Sequence, residues 1–235
     1  MTNNGNIENT HVTFTPEEQE KIDMFCTFYG TDAKAVDEQG LTLFHKAARD
    51  ENIAVLKFLI SAGADVHAKT SNNSTPLHLA ATRADDNVEV TGFLVSEGAN
   101  VDARNDVNMT PLLLALFSKN VKIAQFLISY RTDVNAKNKY GDTPLHLAVE
   151  FGEIETIENL VSKRAEVCAV NEKGESPLHW AGKFSQNVEI VQFLVSKGAD
   201  VSTKDDYGCT PLDYAKIVTK VKENTAMVQY LSSIK

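Results

Sequence analysis

The segment Thr75-Pro76-Leu77-His78 returns as Thr143-Pro144-Leu145-His146 and, with one change, as Ser176-Pro177-Leu178-His179. Looser copies begin at Thr42, Thr110 and Thr210, so the six anchors stand 33, 35, 33, 33 and 34 residues apart. A second series, Gly63, Gly98, Arg131, Arg164 and Gly198, follows the anchors by 21 to 23 residues. Two series on one period constrain the chain to a row of similar supersecondary units. Each unit is too small to bury its own apolar face and must stack on its neighbours.

The residues within one period spell out the unit. Two residues before each anchor stands Gly40, Asn73, Asn108, Gly141, Gly174 or Gly208. Glycine and asparagine are the types that reach positive φ most readily, so a tight turn is expected there. The Thr or Ser anchor suits a helix N-cap, and Pro at the next position loses no hydrogen bond. Small residues such as Ala47-Ala48 and Ala80-Ala81 let successive helices approach closely. A second helix follows at helical period, as in Val55, Leu56, Leu59 and Ile60, or Ile190, Phe193 and Leu194. It ends at the Gly of the second series, which suits the C′ position.

This pattern, with its Thr-Pro-Leu-His-x-Ala signature, resembles the ankyrin-repeat family over residues 15–235. The resemblance implies an all-α solenoid in which each repeat has a β-turn finger, an inner helix, an outer helix and a return loop. The repeats are placed at 37–69, 70–104, 105–137, 138–170, 171–204 and 205–235, with a tail at 1–14 expected to be flexible. Thr15-Pro16-Glu17-Glu18 reads as a capping box, and Ile22, Phe25, Cys26 and Tyr29 share one face behind it. Residues 15–36 are therefore expected to form a half repeat that caps the stack. Four extra residues before Asn224 predict a last inner helix one turn longer than the others. Insertions in Thr82–Asp86 and Lys183–Gln186 are expected to enlarge two turns between inner and outer helices.

Composition narrows the function classes. A net charge of −9 disfavours nucleic acid and anionic membranes as partners. No apolar run is long enough to span a bilayer, and the first residues lack the charged and apolar regions of a signal peptide. Three widely spaced cysteines, Cys26, Cys168 and Cys209, make no disulfide framework, and a cytoplasmic, monomeric protein is expected.

Catalytic, metal and cofactor sites are not expected. His45, His78, His146 and His179 lie one or two repeats apart, too far to share a metal ion. The resemblance implies instead that each ring bonds the backbone of a neighbouring loop. No residue is placed to activate a cysteine, although Cys209 near a finger tip is the one expected to be accessible. Asn73 and Asn108 fall in glycosylation patterns only because they replace a turn glycine. Asn135, in Asp133-Val134-Asn135, resembles the asparagine hydroxylated in some ankyrin repeats. Arg131 and Arg164, in the place of C′ glycines, are expected at positive φ at a cost of about 1 kcal/mol each.

The resemblance implies a concave groove built from finger tips and exposed inner-helix positions. In repeats one and two those positions are polar, as in Glu38, Gln39, Arg49, Asp50, Ser71 and Asn72. From repeat three they hold Val107, Met109, Tyr140 and Tyr207 on the fingers, and Phe117, Phe151, Phe184, Ile217 and Val218 on the helices. Trp180 follows the signature histidine. Large apolar groups at exposed positions mark an interaction surface. Lys69, Arg104, Lys137 and Lys204 form a basic row at the finger bases, which Lys139 and Lys183 extend. The expected function is protein–protein interaction, with an apolar and acidic partner segment. An inert regulatory subunit of an enzyme and a host-directed effector are the alternatives.

Overall fold

The computed structural model describes residues 13–50, 52–82, 88–185, 187–222 and 225–234, without the side chains of 219–225. Most of the expected tail and parts of both insertions lie outside the described residues, as does Asn224. Among the described residues the chain is helical, with one isolated bridge between Val36 and Thr42.

The cap is α1, Pro16–Tyr29, opened by the Thr15–Glu18 capping box and burying Ile22 and Phe25. Six helix pairs follow: α2 (Leu43–Arg49) and α3 (Ile53–Ser61), α4 (Pro76–Ala81) and α5 (Glu89–Ser96), α6 (Pro111–Phe117) and α7 (Val121–Ser129), α8 (Pro144–Phe151) and α9 (Ile154–Ser162), α10 (Pro177–Phe184) and α11 (Val188–Ser196), α12 (Pro211–Lys222) and α13 (Thr225–Ser233). Inner helices pack in the order α2, α4, α6, α8, α10, α12, and outer helices run alongside. At 12 residues, α12 is longer than any other inner helix.

The signature leucines Leu77, Leu112, Leu145 and Leu178 are fully buried. The outer-helix leucines Leu56, Leu94, Leu127, Leu160 and Leu194 are buried with them. Each such side chain contributes roughly 1.5–3 kcal/mol by leaving water. Because the apolar residues recur once per repeat, the core is a ribbon sandwiched between the two helix rows.

The fingers are closed and joined by backbone. All six turn positions, from Gly40 to Gly208, have positive φ. Each finger passes a bond to the next: the N–H of Ser71, Asp106, Lys139, Glu172 and Asp206 donates to the carbonyl of Gln39, Asn72, Val107, Tyr140 and Lys173. At Gly40 and Gly141 a Cβ would lie 2.7 Å and 2.8 Å from the next finger's backbone nitrogen, so close approach demands glycine there. At the finger bases, Asp37, Asn105, Asn138, Asn171 and Asp205 each accept two backbone N–H bonds with one side-chain oxygen.

Candidate functional site: an apolar cleft on the concave face

The histidines are held within the stack. The backbone N–H of Thr42, Thr75, Thr143 and Ser176 donates to Nδ1 of His45, His78, His146 and His179 at 3.1–3.2 Å. Nδ1 therefore carries the lone pair and Nε2 the proton. Nε2 donates to the carbonyls of Ser74, Met109, Glu175 and Cys209 in the next repeat. Each ring thus caps its own helix and ties it to the following finger, leaving neither nitrogen for a metal. Burial holds His45 and His78 below the usual imidazole range and takes His146 to about 4.

The cysteines are separate from one another in the fold. Cys26 is half-buried, and its burial raises the thiol. Cys168, not Cys209, is the exposed one, with its Sγ directed at the Gly198 carbonyl at 3.3 Å. Asn135 is half-buried and uses both ends of its amide: Nδ2 donates to the Arg164 carbonyl and Oδ1 accepts from the Glu166 N–H.

Across the fingers and inner helices of repeats three to five, five of the expected surface residues, Val107, Met109, Phe117, Tyr140 and Trp180, line a cleft of about 370 Å³. The third finger supplies Val107 and Met109, α6 supplies Leu114 and Phe117, and the fourth finger supplies Asn138, Lys139, Tyr140 and Asp142. Leu147 and Glu150 come from α8, and Trp180 from α10. Phe117 is 63% exposed and Tyr140 58%. Tyr140 is held by its backbone: its N–H donates to Asn138 Oδ1 at 2.8 Å, and its carbonyl accepts from Glu172 at 2.9 Å.

Two residues expected at the surface are buried. Met109 lies beneath the third finger tip and packs into the core. Trp180 is 8% exposed, because its indole N–H donates to the buried Glu175 carboxylate at 3.1 Å and its ring meets His146 and Phe184 edge-on. Both form the cleft wall rather than its rim. Phe151 is half-buried and lines a different, small cavity of about 90 Å³ between α6, α8 and their outer helices. Phe184 and Tyr207 are exposed, as is Ile217, but none of them lines the cleft.

Part of the basic row is engaged with the stack, while Lys69 and Lys204 are exposed. Arg104 donates to the Lys137 carbonyl at 3.0 Å and sits 3.8 Å from Asp133. Lys137 donates to the Val170 carbonyl at 2.9 Å. Lys183 pairs with Glu175 at 3.0 Å. Burial pushes the Glu175 carboxyl up, but bonds from Lys183, Asn171 and Trp180 outweigh it and hold the group below its ordinary range.

Leu114, Leu147 and Glu150 also line the cleft, beyond the residues expected there. Leu114 and Leu147 occupy the same repeat position as Trp180, so periodicity carried the signal for them. Glu150 carried none: an acidic residue near a helix end looks like ordinary solvated surface. In the structure it is half-buried among apolar side chains, and that burial raises its carboxyl while Lys119 and Lys183 lower it less.

The chain matches the family model for ankyrin repeats in three copies, over residues 17–105, 85–171 and 165–234. It is similar to alpha-latrotoxin-Lg1a of Latrodectus geometricus, 42% identical over 67 residues, 27% of this chain and 5% of the toxin. It is also similar to the RelA-associated inhibitor of Mus musculus, 41% identical over 51 residues, 22% of this chain and 6% of the inhibitor. The chain therefore spans only a small fraction of these relatives. Among solved structures, it resembles a chain from the complex of the predatory endopeptidase Bd0816 of Bdellovibrio bacteriovorus with immunity protein Bd3460. There the TM-score is 0.73 and the identity 26%, covering 86% of this chain and 100% of that one. An ankyrin repeat domain of Acinetobacter baumannii matches with TM-score 0.69 and 28% identity, over 80% of this chain and 97% of that one.

Proposed function

Because the chain belongs to the ankyrin-repeat family, whose repeats mediate protein–protein interaction, we propose that it binds a protein partner by taking an apolar segment of that partner into the cleft of repeats three to five. The observation that carries this reading is the exposure of Phe117 and Tyr140 in the lining of a preformed apolar depression. Folding gains nothing from leaving those rings in water, whereas aromatic side chains around a well-packed pocket are where interface energy concentrates. The chain acts as an adaptor in this reading and not as an enzyme.

A second reading makes the chain an inert, stoichiometric partner of an enzyme. It is favoured by the likeness, over most of this chain, to a component of a complex between an endopeptidase and its immunity protein.

The test is an affinity capture with the wild-type chain beside Phe117→Ala and Tyr140→Ala, followed by titration of the captured protein. Each substitution is expected to weaken binding by more than about 1 kcal/mol and to leave the melting temperature nearly unchanged. Intact binding with a large fall in melting temperature would return both rings to the scaffold.

A further inference from the structure

The cleft holds a half-buried carboxylate, Glu150, that Lys119 and Lys183 influence only from a distance. Glu150 projects from α8 among Leu114, Leu147, Phe117 and Trp180, and among the described residues it makes no hydrogen bond or ion pair. Its burial is unfavourable for the carboxylate, as the raised carboxyl shows. The neighbouring acid, Asp142, is accounted for by the side-chain amides of Asn138 and Asn171 at 3.1 Å and 2.9 Å.

The nearby cations are also accounted for. Lys183 is bound to Glu175, Lys119 lies 4.9 Å from the centre of the Phe151 ring, and Lys139 lies 4.9 Å from that of Tyr140. Among the described residues, Glu150 is left in the cleft lining without a direct partner, beside Phe117, Tyr140 and Trp180. Aromatic faces and a carboxylate attract the same ligand, a cation on an apolar stem.

We propose that the cleft receives a lysine or arginine side chain of the partner, its stem against Phe117 and Tyr140 and its charge on Glu150. This rests on the docking reading above and specifies the chemistry of what docks there. It differs from the acidic partner segment expected from the basic row, of which Arg104 and Lys137 bond within the stack while Lys69 and Lys204 are exposed. Lysine and arginine are suited to the place because a long apolar stem spans the cleft before the charge is reached.

The experiment pans random twelve-residue peptides, displayed on phage, against the full chain and against the Phe117→Ala/Tyr140→Ala chain. Peptides retained only by the wild type are expected to be enriched in Lys or Arg beside an aromatic or branched aliphatic residue. Their affinity should fall by about tenfold or more for Glu150→Gln, and replacing the peptide's basic residue by norleucine should give a similar loss. In the peptide–protein pair carrying both changes the losses should fail to add, because both remove one interaction. Circular dichroism of Glu150→Gln should match the wild type.

Peptides that need Phe117 and Tyr140 but lack a basic residue, or that ignore Glu150→Gln, would overturn the cation and leave the docking surface standing. Recovery of no peptide above the double-variant background would overturn both. A concentration-dependent dimer abolished by Phe117→Ala would assign the cleft to a second copy of this chain and would also overturn the proposal.

Discussion

Two buried side chains show how single positions set local stability. Thr156 occupies, in α9, the place held by Ile123 and Ile190 in the flanking repeats, and its hydroxyl is buried without a partner. It lines the 90 Å³ cavity beside Phe151, so the smaller side chain leaves both a void and an orphaned polar group. Thr156→Val keeps the shape and removes the hydroxyl; it is expected to stabilise by about 1 kcal/mol, read as a higher denaturation midpoint. His146 acts through its proton. Its folded value of about 4 lies below the ordinary 6.5. Above pH 6.5 neither state takes the proton and its contribution is complete. Between pH 6.5 and 4 the unfolded chain is protonated while the folded one resists, so stability falls as the pH falls. Protonated Nδ1 would also confront the Thr143 N–H it now accepts. The slope for this ring is at most about 1.4 kcal/mol per pH unit. Thermal melts of His146→Gln should be less stable at pH 7.5 and distinctly flatter across that window than those of the wild type.

At the scale of one element, the same backbone demand recurs at equivalent positions and is met by different residues. The return loops after α3, α5 and α11 use Gly63, Gly98 and Gly198, whereas those after α7 and α9 hold Arg131 and Arg164 at φ 58° and 70°. Among the described residues, neither arginine side chain makes a hydrogen bond or ion pair that would offset the strain. Arg131→Gly is therefore expected to be neutral to stabilising by up to about 1 kcal/mol, reduced by the larger unfolded-state entropy of glycine, in urea melts. These demands were legible in the sequence because they are local: turn glycines, N-caps, the Thr15–Glu18 capping box and the long α12 all follow from short spacings. The cleft was legible only in part. Phe117 and Tyr140 stand exposed as their repeat positions imply, but Trp180 is buried by the Glu175 carboxylate at its indole N–H and by His146 of the preceding repeat and Phe184 at its ring. The basic row depends likewise on where the next repeat's carbonyls fall. Periodicity identifies a position on the unit, and it does not identify what the adjacent unit puts opposite.

Across the whole molecule the fully buried apolar side chains fall in two clusters, joined by the half-buried Val101 and Phe126. One buried cluster runs from Ile22 to Ala99, and the other holds Ala81 and then continues from Met109 to Leu231. The seam falls between repeats two and three. Among the outer helices, α5 and α7 pack less extensively than the pairs α1–α3, α3–α5, α7–α9, α9–α11 and α11–α13, while across the same seam the inner helices α4 and α6 pack as extensively as α6 and α8. On α5 at this seam, Gly92 presents no side chain toward Phe126, and the adjacent Thr91 hydroxyl is buried without a partner. In a stack whose stability is a sum over units and their interfaces, a weak interface separates cooperative blocks. Hydrogen exchange is therefore expected to resolve two units, the cap with repeats one and two opening more readily than repeats three to six, which carry the cleft. Gly92→Ala tests this seam. A Cβ there would meet the Phe126 ring at 3.7 Å, an ordinary contact, and alanine gains about 1 kcal/mol over glycine inside a helix. The substitution should slow exchange throughout residues 16–99 and bring the two transitions together. Uniform exchange in the wild type, or a gain confined to α5 in the variant, would show that the seam does not divide the solenoid.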